Sequence, residues 1–560
     1  MSKSTLLMTA CLAAGSLCLG QGAFAAPPVG AGGQLQQIPP PPAPERSIPE
    51  IRTDRGGGER DAGPPGPKVL VQSLHVTGET LFPEAELIAA AGFTPGSQLD
   101  LRDLRRMAGR ISDFYNRRGY FVAQAYVPAQ DVTAGSVTIA VVEGRYGKVG
   151  LDNHTNLHNR VALGVMAGLD AGDPVDSRPL ERRLLLLSDI PGVVVRSTLS
   201  PGAEVGASDL TVTLTPGPRI SGSIDGDNAG DRYTGAYRAG GTLYINDPTG
   251  NGDLITLRAL SSFAGLDYGR VAYQTRLGAA TAGVAFSALD YRLHGAFSSL
   301  DASGTAQVAS LFASYPLVRS YDSNLALTGE FDARNFRDKI GAVNSVVDKR
   351  EYALTVGLSG DDHDHFNGGG WDQYSLGYSA GDLDIRTPSA RAFDAATARA
   401  DGRYGKFFFS VSRLQRVVGP ISVFGLVRGQ YASQNLDISE KMELGGAYAV
   451  RGYGEGEIYA DDGYVATLEA RLLLPPPPGP IPGRVQLIAF FDTASASTNH
   501  SPWFPGANHV QVSGAGASVN WAAPNNFVVR ATWAQPVGHA RGAPGVTSSS
   551  HVWIQLAKLF

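Results

Sequence analysis

Residues 377–381 read Gly-Tyr-Ser-Ala-Gly, which is the G-x-S-x-G pattern that carries the nucleophilic serine of many hydrolases. That chemistry needs a strand, a sharp turn and a helix, so that the hydroxyl of Ser379 is exposed. The flanking residues 371–377 and 382–386 have the pattern of a β-hairpin instead. Small residues in a glycine-rich chain produce the motif by chance, so we predict no catalytic residue and no enzymatic activity.

A second cluster combines residue types that bind metals. Residues 361–365 read Asp-Asp-His-Asp-His and precede three glycines, so they are predicted to lie in a polar loop. The chain has 10 histidines and few of them are clustered, which argues against a dedicated metal centre. The sequence also lacks a phosphate-binding loop and a dinucleotide fingerprint. A solvated loop is the favoured interpretation, with metal binding as the alternative, and we predict no metal and no cofactor.

Residues 219–560, which contain both clusters, have the pattern of many short β-strands. Alternating segments recur between turn residues; in 485–492 the odd positions are apolar, whereas the even positions include Gln486 and Asp492. One apolar face and one face that tolerates charge is typical of a membrane barrel with a wet lumen. At about ten residues per strand, this segment accommodates about 16 strands. A soluble β-sandwich is the alternative, but ordinary soluble sheets have fewer strands.

Two copies of one small α+β plan precede this segment. The first copy covers residues 69–145 and the second covers 146–218, and each runs strand, two helices, two strands. An internal repeat of this size indicates an array of small modules. The expected elements of the first copy are a strand at 69–76, helices at 83–91 and 101–118, and strands at 120–127 and 135–143.

The N-terminal part of the chain is expected to lie outside these modules. Residues 1–25 combine Lys3, an apolar stretch too short to span a bilayer, and the Ala-Phe-Ala of a signal-peptide cleavage site. Residues 26–68 have the proline-rich and glycine-rich composition of a linker, in which residues 33–38 could form a short helix.

Composition excludes several classes of protein. Both cysteines, Cys11 and Cys18, lie in the predicted signal peptide, which rules out a disulfide scaffold in the mature chain. The net charge of −5 gives no broad basic field, so nucleic acid is not an expected partner. After the signal peptide no apolar run of 18 residues remains, and a chain without such a run spans a membrane only as a closed β-barrel.

Several short motifs resemble those of one family, the two-partner secretion outer-membrane transporters (TpsB-type) that export haemolysins and filamentous haemagglutinins. In the first module, Tyr115, Gly119-Tyr120, Ala123 and Pro128 resemble the Y…GY…A…P pattern of a POTRA domain. In the barrel segment, the matching stretches are SYPLVRS at 314–320, LGG at 444–446, VRGY at 450–453 and FFDTA at 490–494.

The resemblance implies an all-β transmembrane barrel of about 16 antiparallel strands, preceded by two small α+β POTRA-type domains. It also implies that the tip of a long loop, formed by Val450, Arg451, Gly452 and Tyr453, folds back into the lumen. The family pattern places the partner of that arginine on the lumen wall at Asp492, next to Phe490. Physics supports this pair, because an arginine in a narrow lumen is desolvated and needs a carboxylate that it can engage bidentately.

The resemblance further implies a function. The POTRA-type domains would lie in the periplasm and capture an unfolded exoprotein, with Tyr115, Gly119 and Tyr120 as substrate-binding residues, and the barrel would pass it through the bacterial outer membrane. The implied partners are a large secreted β-helical exoprotein, outer-membrane lipids and the barrel-assembly machinery. A plug helix in the pore would have to come from residues 28–39. The alternatives are a barrel insertase of the same superfamily, which commonly has five modules, and a passive porin.

Overall fold

The structure is a computed structural model that describes residues 30–41, 49–53, 66–132, 135–476, 482–542 and 549–560. The predicted signal peptide lies outside the described residues, as does most of the predicted linker. None of the helices in the described ranges is long and apolar enough to cross a bilayer.

Two short elements precede the first module and seven form it. The chain begins with α1 (Ala31–Gln36) and β1 (Glu50–Thr53), followed by β2 (Val69–Val71), β3 (Ser73–Thr77), α2 (Glu84–Ala91), β4 (Ser97–Leu99), α3 (Leu101–Arg117), β5 (Gln124–Tyr126) and β6 (Ser136–Val142). Strands β3, β6 and β5 form one sheet, and β2 pairs with β4. The predicted strand 69–76 is therefore two strands in two different ladders.

Helix α3 shows why the first module folds as it does. The carboxylate of Asp100 caps the first turn of α3 by accepting a hydrogen bond from the backbone amide of Asp103. The carboxylate of Asp103 in turn accepts from the backbone amide of Asp100. The apolar stripe of α3, which includes Ile111 and Tyr115, is buried against the sheet. The predicted strand 120–127 is shorter than expected, because turn hydrogen bonds occupy its first residues and only β5 joins the sheet.

The second module consists of β7 (Arg145–Asn153), α4 (Asn159–Met166), α5 (Ser177–Ser188), β8 (Val193–Pro201) and β9 (Ala207–Pro216). Its sheet has the order β1-β8-β9-β7, so the short strand β1 from the linker region pairs in parallel with the edge of the module. This pairing was not predicted, because the four residues of β1 lie between proline-rich and glycine-rich stretches that mask any strand pattern. The sequence of two small α+β modules is confirmed.

Sixteen antiparallel strands then close into a single barrel, as predicted. They are β10 (Ile220–Asp227), β11 (Arg238–Asn246), β12 (Leu254–Ser261), β13 (Leu266–Leu277), β14 (Ala280–Arg292), β15 (Ala302–Arg319), β16 (Ser323–Ile340), β17 (Ser345–Asp364), β18 (Gly370–Ile385), β19 (Gly402–Val418), β20 (Ile421–Ala432) and, after a hairpin of β21 (Met442–Glu443) and β22 (Tyr459–Ala460), β23 (Asp462–Leu473), β24 (Arg484–Ser497), β25 (His509–Ala523), β26 (Phe527–Pro536) and β27 (His551–Leu559). Strand β10 pairs with β27 and closes the barrel.

Side chains alternate along these strands between the lumen and the outer wall. On β24, Ile488, Phe490 and Asp492 are buried inside the barrel, whereas Leu487 and Phe491 are exposed on the outer wall. This alternation is the predicted one and gives the barrel an apolar exterior. A helix that was not predicted, α6 (Pro388–Ala396), lies in the connection between β18 and β19.

The two clusters that could have carried chemistry both lie on strands. Ser379 is in the middle of β18, and its hydroxyl lies 2.6 Å from the hydroxyl of Thr355 on β17, so the strand–turn–helix geometry of a nucleophile is not formed there. Asp361 to Asp364 form the end of β17 rather than the predicted loop, because they pair with the first residues of β18. In the part of the chain that the structure describes, no three carboxylate or histidine side chains converge into a metal site.

Candidate functional site

The connection between β20 and β23, residues 433–461, folds back into the barrel, and we call it the lumen loop. Its hairpin of β21 and β22 leads to a compact tip at residues 450–453. Within the tip, the amide of Tyr453 donates to the carbonyl of Val450 at 3.1 Å, and both side chains are fully buried. The loop is therefore a packed part of the interior rather than an exposed hairpin.

Arg451 fixes the tip to the barrel wall. Its Nε and one terminal nitrogen donate to the two carboxylate oxygens of Asp492, at 2.8 Å each, and its backbone amide donates to the same carboxylate at 3.1 Å. Arg451 is 5% exposed and Asp492 is completely buried. A buried arginine held bidentately by a buried carboxylate is a strong and geometrically specific anchor.

A second carboxylate and an aromatic ring complete the surroundings of the arginine. The remaining terminal nitrogen of Arg451 donates to Glu469 at 2.8 Å, and Glu469 also accepts from Arg471. The ring of Phe490 lies 3.5 Å from the guanidinium carbon of Arg451, in a cation–π contact. The role of Glu469 was not predicted, although its place on the polar face of the strand adjacent to Asp492 is a signal that could have indicated it.

The far side of the tip is held by the last two strands. The indole nitrogen of Trp553 on β27 donates to the backbone carbonyl of Arg451 at 2.9 Å. A Cβ atom on Gly452 would lie 2.8 Å from the backbone of Gln535 at the end of β26, so only glycine allows this close approach. Trp553 is a contact that the sequence motif did not indicate.

Helix α1 lies inside the barrel beside the lumen loop. The amide of Ala31 donates to Asp338 on β16 at 2.8 Å, and the side-chain amide of Gln36 donates to the carbonyl of Ser439 at 2.6 Å. A Cβ atom on Gly32 would lie 2.6 Å from the Cβ atom of Ser439. The helix therefore bridges the wall and the lumen loop, two residues earlier in the chain than the predicted helix at 33–38.

The first module contains a buried carboxylate that organises its core. Glu143 accepts hydrogen bonds from the amides of Thr80 and Leu81, at 2.6 and 2.8 Å, and from the hydroxyl of Tyr115 at 3.0 Å. Burial raises the pKa of the Tyr115 hydroxyl, and the charge of Glu143 raises it further. Tyr115 is completely buried and its hydroxyl is bound to Glu143, so it belongs to the core of the module here, and its contact with substrate stays a prediction.

Gly119, another predicted substrate-binding residue, lies where the two modules meet, and Tyr120 follows it. The carbonyl of Gly119 accepts from the amide of Ser177 in the first turn of α5, and a Cβ atom on Gly119 would lie 2.7 Å from Asp176. Tyr120 is half-buried and packs edge-on against Phe82. These contacts give Gly119 a place in the module junction and Tyr120 a place in the module core, and substrate contact by either residue stays a prediction.

Glu143 makes the stability of the first module dependent on pH. Burial acts to raise the pKa of Glu143, but the hydrogen bonds from Thr80 and Leu81 outweigh it and leave the pKa below its ordinary value of 4.5. A depressed pKa adds stability that is fully present above the unfolded value and is lost as pH falls below it. We expect the protection factors of amides in α3 of the full-length protein, each taken relative to the intrinsic exchange rate at the same pH, to decrease as pH falls through that range.

The Glu143→Gln variant tests whether this carboxylate causes the pH dependence of the first module. It should destabilise the first module by about 2 kcal/mol at neutral pH, because an amide is a weaker acceptor than a carboxylate, and it should remove the acid dependence. Glu86→Gln, which changes an exposed carboxylate in the same module, should exchange like the unaltered protein. Equal exchange in all three proteins across the pH series would contradict this account.

Comparison with known proteins matches two parts of the chain. Residues 69–144 match the POTRA domain of ShlB type, and residues 206–520 match the haemolysin secretion/activation protein family ShlB/FhaC/HecB. The heme/hemopexin transporter protein HuxB of Haemophilus influenzae is 29% identical over 390 residues, which cover 68% of each protein. The outer membrane transporter CdiB of Escherichia coli is 26% identical over 438 residues, 75% of this chain and 71% of CdiB.

The fold has a counterpart among solved structures. CdiB from Escherichia coli superposes with a TM-score of 0.70 at 22% identity, over 90% of this chain and 93% of that one. At that identity the likeness concerns the fold, whereas the match of residues 206–520 runs through most of the barrel and all of the lumen loop. Because that match extends over more than half of the sequence, this chain belongs to the haemolysin secretion/activation protein family ShlB/FhaC/HecB.

Proposed function

We propose that this chain captures a large unfolded exoprotein with its periplasmic modules and secretes it through the lumen of its barrel. Membership of the family makes the chain a protein-secretion transporter of the outer membrane, with its POTRA-type modules in the periplasm. The observation that carries the proposal is the continuity of the chain, since the second module leads from β9 directly into the first barrel strand β10. A polypeptide held by the modules is thereby delivered to the mouth of the pore.

The modules have the surfaces that such a capture needs. Their small sheets have open edges, and an extended polypeptide can add to such an edge through main-chain hydrogen bonds without a specific side-chain sequence. The outer membrane has no ATP, so we propose that folding of the exoprotein outside the cell, as a β-helix, makes transport directional. The partner that fits these open sheet edges is an exoprotein that arrives as an unfolded chain with strong β-propensity.

The anchored lumen loop has a defined place in this proposal. Arg451 and Asp492 hold the tip of the loop against the wall, and helix α1 fills space between that loop and the opposite wall. We propose that α1 acts as a plug and that the anchored tip keeps the loop in the shape that permits transport. Both roles are inferred from buried contacts. The Arg451→Ala variant tests the role of the anchor, and the Gly32→Val variant tests the role of the plug.

The direct test is to find a gene for a large β-helical exoprotein beside this gene and to follow export of its product. Deleting this gene should abolish appearance of that exoprotein in the medium, and plasmid-borne expression should restore it. The levels of other outer-membrane proteins should not change, whereas their loss would favour the alternative of a barrel insertase. Channel conductance without any secretion defect would favour a passive porin.

The serine motif gives a further prediction. We expect the Ser379→Ala variant to export as well as the unaltered protein, because Ser379 contributes only a cross-strand hydroxyl pair with Thr355. Neither protein should hydrolyse a chromogenic ester. Ester hydrolysis by the unaltered protein that is lost in Ser379→Ala would contradict the proposal that the chain has no enzymatic activity.

A further inference from the structure

The stretch SYPLVRS at residues 314–320 lies where β15 ends, and its function has not been accounted for by the lumen loop or the plug. Together with the start of β16 it forms a turn at the periplasmic end of the barrel, residues 316–324, which we call the docking turn. The pairing of β15 with β16 shifts register between Pro316 and Val318, which marks a β-bulge. A bulge leaves backbone groups outside the ladder, where another element can bind them.

Helix α5 of the second module uses these groups. The guanidinium of Arg182 donates to the carbonyl of Pro316 at 2.8 Å and to the carbonyl of Leu317 at 3.1 Å. On the preceding residue of α5, the carboxylate of Glu181 accepts from the backbone amide of Tyr321. Side chains of α5 thus bind backbone groups on both sides of the docking turn.

An arginine–aspartate pair completes the contact. Arg319 donates two parallel hydrogen bonds to the carboxylate of Asp189, at 2.8 Å each, and Asp189 is the residue that follows the end of α5. A third hydrogen bond, from Arg319 to Asn324 at 2.8 Å, orients the guanidinium from the barrel side. The two side chains are 15% and 24% exposed, so the pair is better shielded from solvent than ordinary surface pairs.

The docking turn is itself rigid. The hydroxyl of Ser320 donates to the carbonyl of Ser323 at 2.8 Å and accepts from the amide of Ser323 at 2.9 Å, which closes the turn. The hydroxyl of Tyr321 donates to the carbonyl of Pro49, just before β1, at 3.0 Å. The proline, the arginine and the last serine of the SYPLVRS stretch therefore all have a part in one structural junction.

The junction defines the entrance to the lumen. A cavity of about 880 Å³ lies between the second module and the periplasmic mouth of the barrel, lined by Asp189 and Ile190 from the module and by Tyr244, Arg276 and Arg319 from the barrel. We call this cavity the vestibule. Its volume and its walls depend on where the second module sits, and the Arg319–Asp189 pair spans its edge.

We propose that Arg319 is a positioning residue for export, which docks the second module through Asp189 so that the vestibule leads a captured chain into the lumen. This inference rests on the proposed function. The other charged groups near the pair are Arg276, Asp361 and Glu181, which all belong to the same two elements or line the same cavity. Loss of Arg319 should let the second module move relative to the barrel without changing the barrel itself.

The test combines a distance measurement with an export assay on the full-length protein. Spin labels at Val205→Cys, in the exposed hairpin of the second module, and at Phe366→Cys, in an exposed periplasmic turn, report the module–barrel distance. We expect a narrow distribution in the unaltered background and a broad one, with several-fold weaker export, in Arg319→Ala and Asp189→Ala. The charge-swapped double variant Arg319→Asp/Asp189→Arg should narrow the distribution again and recover export.

A control and the opposing outcomes make the test decisive. Arg160→Ala removes a single exposed hydrogen bond between the same module and the barrel turn at Asn251, and should leave both readouts unchanged. A narrow distribution in both single variants, or a broad one with full export, would overturn the positioning role. Failure of the unaltered chain to export would instead overturn the proposed function, while the distances would still decide whether the pair docks the module.

Discussion

The Arg451→Ala variant is expected to lose export while its barrel still assembles. Removing the guanidinium leaves Asp492 and Glu469 buried without their shared partner, and breaking a buried ion pair in this way costs about 3–5 kcal/mol. That energy is lost from the attachment of the lumen loop, because the strands of the wall keep their own ladder. The measurement is exoprotein in the medium, with heat-modifiable gel mobility as the check for a folded barrel.

Two further variants make the prediction specific. Arg451→Lys should also fail to export, because an ammonium group cannot reproduce two parallel bonds to Asp492 together with one to Glu469. Arg258→Ala removes an equally buried arginine that pairs with Asp225 within the wall and has no contact of this kind with the loop, so export should be largely retained. Export by Arg451→Ala at the level of the unaltered protein would refute the role of the anchor.

The second large effect is expected from the plug. A valine in place of Gly32 would put its Cβ atom 2.6 Å from the Cβ atom of Ser439 and 2.9 Å from its Cα atom, distances that packed atoms do not tolerate. The helix would have to leave its place between the wall and the lumen loop. We expect Gly32→Val to raise the ionic conductance of single barrels in planar bilayers several-fold.

Gly30→Ala is the matched control for this experiment. Its new Cβ atom would meet a methyl group of Ile438 at 3.3 Å, and the side chain of Ile438 can yield. The backbone of Gly30 is extended, a conformation that alanine adopts without strain. Conductance of Gly30→Ala should equal that of the unaltered protein, and an equally low conductance for Gly32→Val would show that α1 does not block the pore.

The barrel and the pairing of Arg451 with Asp492 could both be anticipated from the sequence, for different reasons. Strand alternation is local, and one apolar and one polar face are sufficient to predict an amphipathic barrel strand. The pair of Arg451 and Asp492 was anticipated from the family motif. The physical support was that an arginine desolvated in a narrow lumen needs a carboxylate partner. Glu469 was not anticipated, because the family motif names only Asp492, although its place on the polar face of the neighbouring strand was a usable signal.

In the first module, the motif and the helical spacing point to different roles for the same residue. Tyr115 was assigned to substrate contact because it belongs to a recognised pattern, yet it follows Ile111 by four residues on the buried stripe of α3. Helical spacing alone pointed to the core, and the hydroxyl is satisfied by Glu143. Gly119 could not be placed, because its role at the junction depends on how two modules pack.

The most direct test of the central claim is to ask which face of the barrel the exoprotein touches during export. Position 270 faces the lumen halfway along β13, and position 271 is exposed on the outer wall. A photo-crosslinking residue in place of Arg270 should form adducts with an exoprotein stalled during export, whereas one in place of Val271 should not. Adducts from position 271 with none from position 270 would contradict passage through the lumen.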